Sequence, residues 1–304
     1  MRTAKIRATL GGVLFILSVL ASASATQSVS LSSEHPNAQR ISVQTQGSGP
    51  DVILIPGLAS SRDIWAGLAS TLRKNHRIHL VELAGFASTP AIANPQGKVI
   101  APAVDAIADY IHTQHIQKPA IVGHSLGGEI ALMLGARHPD QVGRLMIVDA
   151  LPFYTLMIDP AATTETAARH ASAMRDSLLG QSPEQNTEFQ KASINRLAKT
   201  EAVRPALVTA GINSDRKTVA DAVYELMTTD LRPELARIKA PIEVVYAYDV
   251  LFGIPAANVD AMYRQAYASA PDIHFTRIDD SFHFVMLDQP ERFSTAVASF
   301  IKNN

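Results

Sequence analysis

Gly123-His124-Ser125-Leu126-Gly127 places one serine between two glycines, where the apolar run Pro119–Gly123 gives way to a helical pattern opening at Leu126. A very tight strand-to-helix turn of this kind lifts the hydroxyl above a sheet in strained backbone, and a Cβ two residues to either side would collide with the turn. Gly128 lets the following helix sit close to the sheet. Ser125 is therefore a candidate nucleophile, and a hydroxyl becomes one only when a base takes its proton. Of the ten histidines, His283 has the suitable place, between the last apolar strand pattern and the last helix. His76, His79, His112, His115, His138 and His170 lie in surface-like helical or turn contexts. His112 and His115 share a helix face without a third metal ligand. The side chain of His124 must point away from the serine, as packing or pocket wall.

A catalytic histidine needs a carboxylate to set its tautomer and stabilise its charged form. Asp249 closes the strand pattern 242–248, and Asp149 closes 144–148. The chain order serine, acid, histidine, with the acid after a long helical stretch, favours Asp249, with Asp149 as its rival. Asp279 and Asp280 are too near His283 along one strand end to reach its ring from the far side.

These residues need a scaffold that brings strand ends together. Strand patterns at 41–47, 51–57, 77–83, 119–123 and 144–150 alternate with helical patterns at about 64–74, 102–115 and 126–137. That alternation predicts a mostly parallel sheet flanked by helices, led by one antiparallel strand. From Leu151 to Arg237 it stops, and the segments 163–180, 182–200 and 215–231 all read as helices. Ser182 and Ser214 or Asp215 are their N-caps, with Gly180 and Gly211 as breaks. It resumes with strands at 242–248 and 273–279 and helices at about 257–268 and 290–302. The expected organisation is an α/β core, 26–150 and 238–304, interrupted after its sixth strand by an all-helical cap, 151–237.

The 304-residue chain carries 27 basic and 28 acidic side chains, so no strong field attracts nucleic acid or an anionic membrane surface. It has no cysteine, which excludes disulfides, thiolate metal sites and cysteine nucleophiles. Arg2, Lys5 and Arg7 precede the apolar run 10–21, and Ala23 and Ala25 follow as an A-x-A site. This pattern predicts a signal peptide, 1–25, cleaved after Ala25, and a periplasmic or secreted protein. The run is shorter than the roughly 20 residues of a spanning helix, and no later stretch is apolar for long enough, so no stable membrane span is expected after signal removal. Oligomeric state is not legible.

With these residues in view, the chain resembles the α/β-hydrolase superfamily, the lidded serine hydrolases of esterase and lactonase type. The similarity covers nearly all of the mature chain outside the helical insertion. The stretch 56–65, PGLASSRDIW, is similar to that family's oxyanion loop, with Pro56 in place of its usual histidine. By that match the N–H groups of Leu58 and Leu126 form the oxyanion hole. The stretch 82–89, ELAGFAST, resembles the family turn D-x-x-G-x-G-x-S, with Glu82 and Ala87 as departures. Phe282 before His283, and Ala247 near the acid, stand where glycine is common, which bears on loop shape and pocket volume.

A serine at this turn excludes the family branches that need a carboxylate nucleophile, the haloalkane dehalogenases and epoxide hydrolases. What remains is attack on a carbonyl carbon through an acyl-enzyme, with ester cleavage first because an alkoxide leaves more easily than an amine or a carbanion. Non-hydrolytic use of the fold, as a cofactor-free lyase or perhydrolase or as a silent binding protein, is the alternative. No metal or cofactor is called for. The expected partner is a small ester or acyl substrate, and Phe153, Tyr154, Met157, Met174, Met227, Leu251 and Phe252 are the candidate apolar pocket residues. No cluster of arginine or lysine awaits a substrate carboxylate.

Overall fold

The computed structural model describes residues 27–29, 39–93 and 96–302; the expected signal peptide, 1–25, lies outside the described residues. The strands explain themselves by their alternation. Ile53 and Ile55, Ile121, and Leu145 and Ile147 face one apolar core, whereas Val52 and Leu54, Val122, and Met146 and Val148 face another. Successive side chains point to opposite faces, so strands apolar at every position belong to a sheet covered on both sides.

The strands are β1 (Gln27–Val29), β2 (Ile41–Gln46), β3 (Asp51–Ile55), β4 (Arg77–Leu83), β5 (Ala120–His124), β6 (Arg144–Val148), β7 (Ile242–Tyr248) and β8 (Ile273–Asp279). They form one eight-stranded sheet in the order β1-β2-β4-β3-β5-β6-β7-β8. β1 pairs β2, and β2 pairs β4, antiparallel; all other pairs are parallel. The expected antiparallel leading strand is β2; β1 is an addition.

The helices between these strands are α1 (Ala66–Leu72), α2 (Ile100–Thr113) and α3 (Leu126–Arg137). α1 is preceded by a 3-10 turn, Arg62–Trp65, so the pattern expected over 64–74 divides at Trp65. The turn is anchored by Arg62, whose Nε donates to Glu82 at 2.6 Å. Both residues are buried, and Glu82 also accepts from the Arg62 backbone N–H. A buried carboxylate requires such a partner, which accounts for the paired presence of Arg62 and Glu82.

Between β6 and β7 every α-helix is an insertion into the sheet pattern: α4 (Thr164–Gly180), α5 (Pro183–Leu197), α6 (Arg204–Ile212) and α7 (Arg216–Thr228). Thr163 and Ser182 open α4 and α5 with reciprocal capping boxes, and Asp215 caps α7 by accepting from the Thr218 N–H at 2.8 Å. α6 was not expected. It spans nine residues with a proline in its first turn, and Gly211, expected as a break, lies inside it. The reason is packing: a Cβ at Gly211 would collide with the Gln190 side chain of α5. The chain closes with α8 (Ala256–Ala266), α9 (Val285–Asp288) and α10 (Pro290–Lys302).

The insertion is fastened to the core by half-buried carboxylates that accept from backbone N–H groups. Glu225 of α7 accepts from the N–H groups of Val99, Ile100 and Ala101 at 2.7–2.9 Å, capping α2 from outside it. Asp288 accepts from the N–H groups of Lys199 and Thr200 and from that of Phe282.

Candidate active site

Ser125 has φ 54° and ψ −121°, a conformation that side chains seldom adopt. Its neighbours enforce it. A Cβ on Gly123 would run into the Gly127 carbonyl, and one on Gly127 into the Ile55 carbonyl of β3. A Cβ on Gly128 would fall 2.8 Å from the Ala150 Cβ. Helix, turn and two strand ends are thus in backbone contact, and the serine is held at the head of α3.

Strand register decides which acid reaches the histidine. The Ser125 N–H donates to the Val148 carbonyl at 2.9 Å, and the Asp149 N–H to the Val245 carbonyl at 2.7 Å. Each residue therefore continues its strand by one step beside its neighbour. Val148 pairs Val245, so Asp149 is level with Tyr246, and Asp249 stands three residues further along β7, about 10 Å at the strand rise.

The outcome corrects the expectation that Asp249 is the partner of His283. Asp149 accepts from His283 Nδ1 at 2.7 Å through Oδ2, while its Oδ1 accepts from the Ala247 N–H and the Tyr263 hydroxyl, both at 2.9 Å. Asp249 is buried and bonded to Lys199 Nζ at 2.5 Å and to the Leu251 N–H at 2.9 Å. Burial works against its ionisation, but Lys199 and the Leu251 N–H hold its carboxyl below the ordinary aspartate range. Asp249 ties the insertion to the core.

Because a carboxylate only accepts, the Asp149 bond puts the proton of neutral His283 on Nδ1 and leaves Nε2 bare. His124 is buried, and its Nε2 lies 3.0 Å from the His283 carbonyl. That oxygen can only accept, so His124 donates from Nε2 and its Nδ1 is bare. Burial, and next the nearby His283, hold the His124 imidazole well below the ordinary histidine range, so it is neutral.

The loop after β3 passes against the serine. A Cβ on Gly57 would lie 3.1 Å from the Ser125 Cβ and 3.0 Å from His124 Nδ1. Gly57 and Leu58 line the same cavity as Ser125, and Leu126 opens α3, where N–H groups lack intrahelical acceptors.

Ser125, His283 and Asp149 line one cavity of about 340 Å³, roofed by α4, α5, α6 and α7. Of the residues expected to form its pocket, Tyr154, Met157, Met174 and Met227 line it. Phe153, Leu251 and Phe252 do not. Phe153 is fully buried, with the Arg232 guanidinium 5.1 Å from its ring centre. Leu251 is 73% exposed, and Phe252 packs against Tyr248 and Phe282. Leu178, Phe189, Ile194 and Leu207 line the cavity and were missed, since in sequence they are ordinary helix-face residues. Also missed was Glu129, buried on α3 at the cavity wall. Burial, and after it the neighbouring Glu225, push its carboxyl well above the ordinary glutamate range, against smaller effects of Arg137 and Thr229.

A strained serine, a histidine on an aspartate and a roofed cavity at the carboxyl ends of a parallel sheet define a hydrolase-type site. The model of the α/β-hydrolase fold family matches residues 50–290, and the chain belongs to that family. It is 27% identical over 269 residues to a pimeloyl-[acyl-carrier protein] methyl ester esterase of Aeromonas salmonicida, covering 86% of this chain and 99% of that one. The corresponding esterase of Chromobacterium violaceum is 28% identical over 264 residues, covering 86% and 97%. Among solved structures, a thermophilic esterase from Thermogutta terrifontis superposes with a TM-score of 0.70 at 20% identity, covering 91% of this chain and 98% of that one. The enol-lactonase of Burkholderia xenovorans LB400 superposes with 0.69 at 18% identity, covering 86% and 97%. These two likenesses are of fold.

Asp149→Asn should lower kcat on an activated ester by ~10³–10⁴-fold, with Asp249→Asn nearly intact; loss confined to Asp249→Asn would contradict the geometry. Glu129 holds a proton in the folded chain that the unfolded chain releases above its ordinary value of 4.5, so its contribution to stability declines as pH rises beyond that value. Glu129→Gln abolishes this decline. Its Tm relative to wild type should be higher at pH 8 than at pH 5, and a difference independent of pH would show that Glu129 ionises normally.

Proposed function

We propose that the protein hydrolyses carboxylic esters of small, largely apolar substrates through an acyl-enzyme on Ser125. The observation that carries this reading is the 2.7 Å bond between His283 Nδ1 and Asp149 beside a serine held in strained backbone, all in one cavity. The relatives named as methyl ester esterases support the choice of bond.

In this mechanism Ser125 Oγ attacks the ester carbonyl carbon and its proton passes to His283 Nε2. Asp149 stabilises the imidazolium without taking its proton. The N–H groups of Leu58 and Leu126 stabilise the oxyanion. Collapse breaks the acyl C–O bond, His283 protonates the departing alkoxide, and the acyl group stays on Ser125. Water, deprotonated by the same imidazole, then attacks the acyl-enzyme and frees the acid. The lining of Tyr154, Met157, Met174 and Met227 favours an apolar acyl or alkyl chain.

The N-terminal pattern supports a periplasmic or secreted location, with the mature chain beginning at Thr26. N-terminal sequencing of the exported protein should read from Thr26; an intact Met1 start in the active fraction would refute cleavage. For the reaction, p-nitrophenyl esters of increasing acyl length and a fluorophosphonate probe are the reagents. Ser125→Ala should abolish labelling and reduce hydrolysis by at least ~10³-fold. Equal, slow turnover by wild type and variant, with neither labelled, would refute the reading.

A further inference from the structure

Every residue of α3 from Leu126 to Ala136 is buried, and Glu129 is the one charged residue among them. Its exposure is 0%, and neither carboxyl oxygen has a hydrogen-bond partner. Thr229 is nearby, but its hydroxyl donates to the Glu225 carbonyl at 2.7 Å. Glu225 is itself occupied in capping α2. A buried carboxyl without partners costs stability, and an apolar residue of similar size would fill the position without that cost. The fold therefore gains nothing from Glu129.

The cavity is where this carboxyl can be used. Glu129 borders the space lined by Ser125, Val223, Leu226 and Met227. The Glu129 N–H donates to the Ser125 carbonyl at 3.2 Å, so it lies one helical turn beyond the serine, and both residues line the same cavity. A chain whose carbonyl is at Ser125 thus passes Glu129 a few carbons along. The rest of that stretch is apolar.

We propose that Glu129 forms a polar subsite one helical turn from Ser125, which binds an uncharged hydroxyl or amide group carried on an otherwise apolar substrate chain. This inference rests on the ester-hydrolase reading for the position of the scissile carbonyl. A protonated carboxyl offers one O–H donor and a carbonyl acceptor, matching either group on both counts. The neighbouring Glu225 carboxylate disfavours a second negative charge, so an anionic chain end does not fit.

The test uses methyl esters of one medium-chain acid, unsubstituted or carrying a single hydroxyl at successive carbons. Affinities are measured by calorimetry on the Ser125→Ala chain, which binds without turnover, and kcat/KM on wild type. One hydroxylated ester should bind about tenfold more tightly than the unsubstituted one, the worth of a hydrogen bond near 1.4 kcal/mol. Adding Glu129→Leu should erase that ratio, and adding Glu129→Gln should keep it. The proposal is overturned if no hydroxylated ester binds more tightly than the plain one, as when Glu129 holds only water, or if the ratio survives Glu129→Leu. Should the leucine variant not fold, the comparison of ligands on Ser125→Ala alone decides. Ester turnover without a hydroxyl preference refutes the subsite; a preference without turnover refutes the hydrolase reading instead.

Discussion

His283 must arrive from the edge of the sheet. Its loop follows β8, whereas Ser125 follows β5, and the ends of β6 and β7 lie between them. The hydrogen bond from His283 to Asp149, at the end of β6, closes that gap. The loop is held along its length: the Ser281 N–H donates to the Tyr248 carbonyl, the Phe282 N–H to Asp288, and the Phe284 N–H to the Leu197 carbonyl, while the His283 carbonyl accepts from His124. Each bond satisfies a backbone group that the loop would otherwise leave unpaired. Together they fix the imidazole without relying on its side chain alone.

The same loop is hydrogen-bonded to the roof of the cavity. Asp288 receives N–H bonds from both Phe282 and the segment Lys199–Thr200, and Lys199 reaches Asp249 on the core. The helices that shape the substrate chamber are therefore referenced to the histidine loop and not merely laid over it. Asp249, read from sequence as the acid, serves in this fastening.

The sheet and the serine turn were legible because their signals are local. Apolar runs bounded by turns mark buried strands, and the glycines at 123 and 127 mark backbone contacts too close for a Cβ. The acid was not legible, because two aspartates close two strands and the choice depends on register. β7 continues two residues past the level of Asp149, which puts Asp249 three residues beyond it, an offset with no local trace in sequence. The pocket was half legible: Tyr154 and Met157 at the entry of the insertion line it, but Leu251 and Phe252 fall outside because they follow Asp249 away from the site. Glu129 stands alone among the apolar residues of its helix, and a lone acidic residue in such a run is itself a signal.

The central claim is that four strand-end elements converge on one carbonyl carbon, with Asp149 as the acid. A crystal structure of the phosphonylated enzyme tests it most directly, because the tetrahedral adduct on Ser125 mimics the intermediate. The account predicts a phosphoryl oxygen within hydrogen-bond distance of the Leu58 and Leu126 N–H groups, and His283 still bonded to Asp149. An adduct with that oxygen turned away from both N–H groups, or with His283 swung to Asp249, would contradict it.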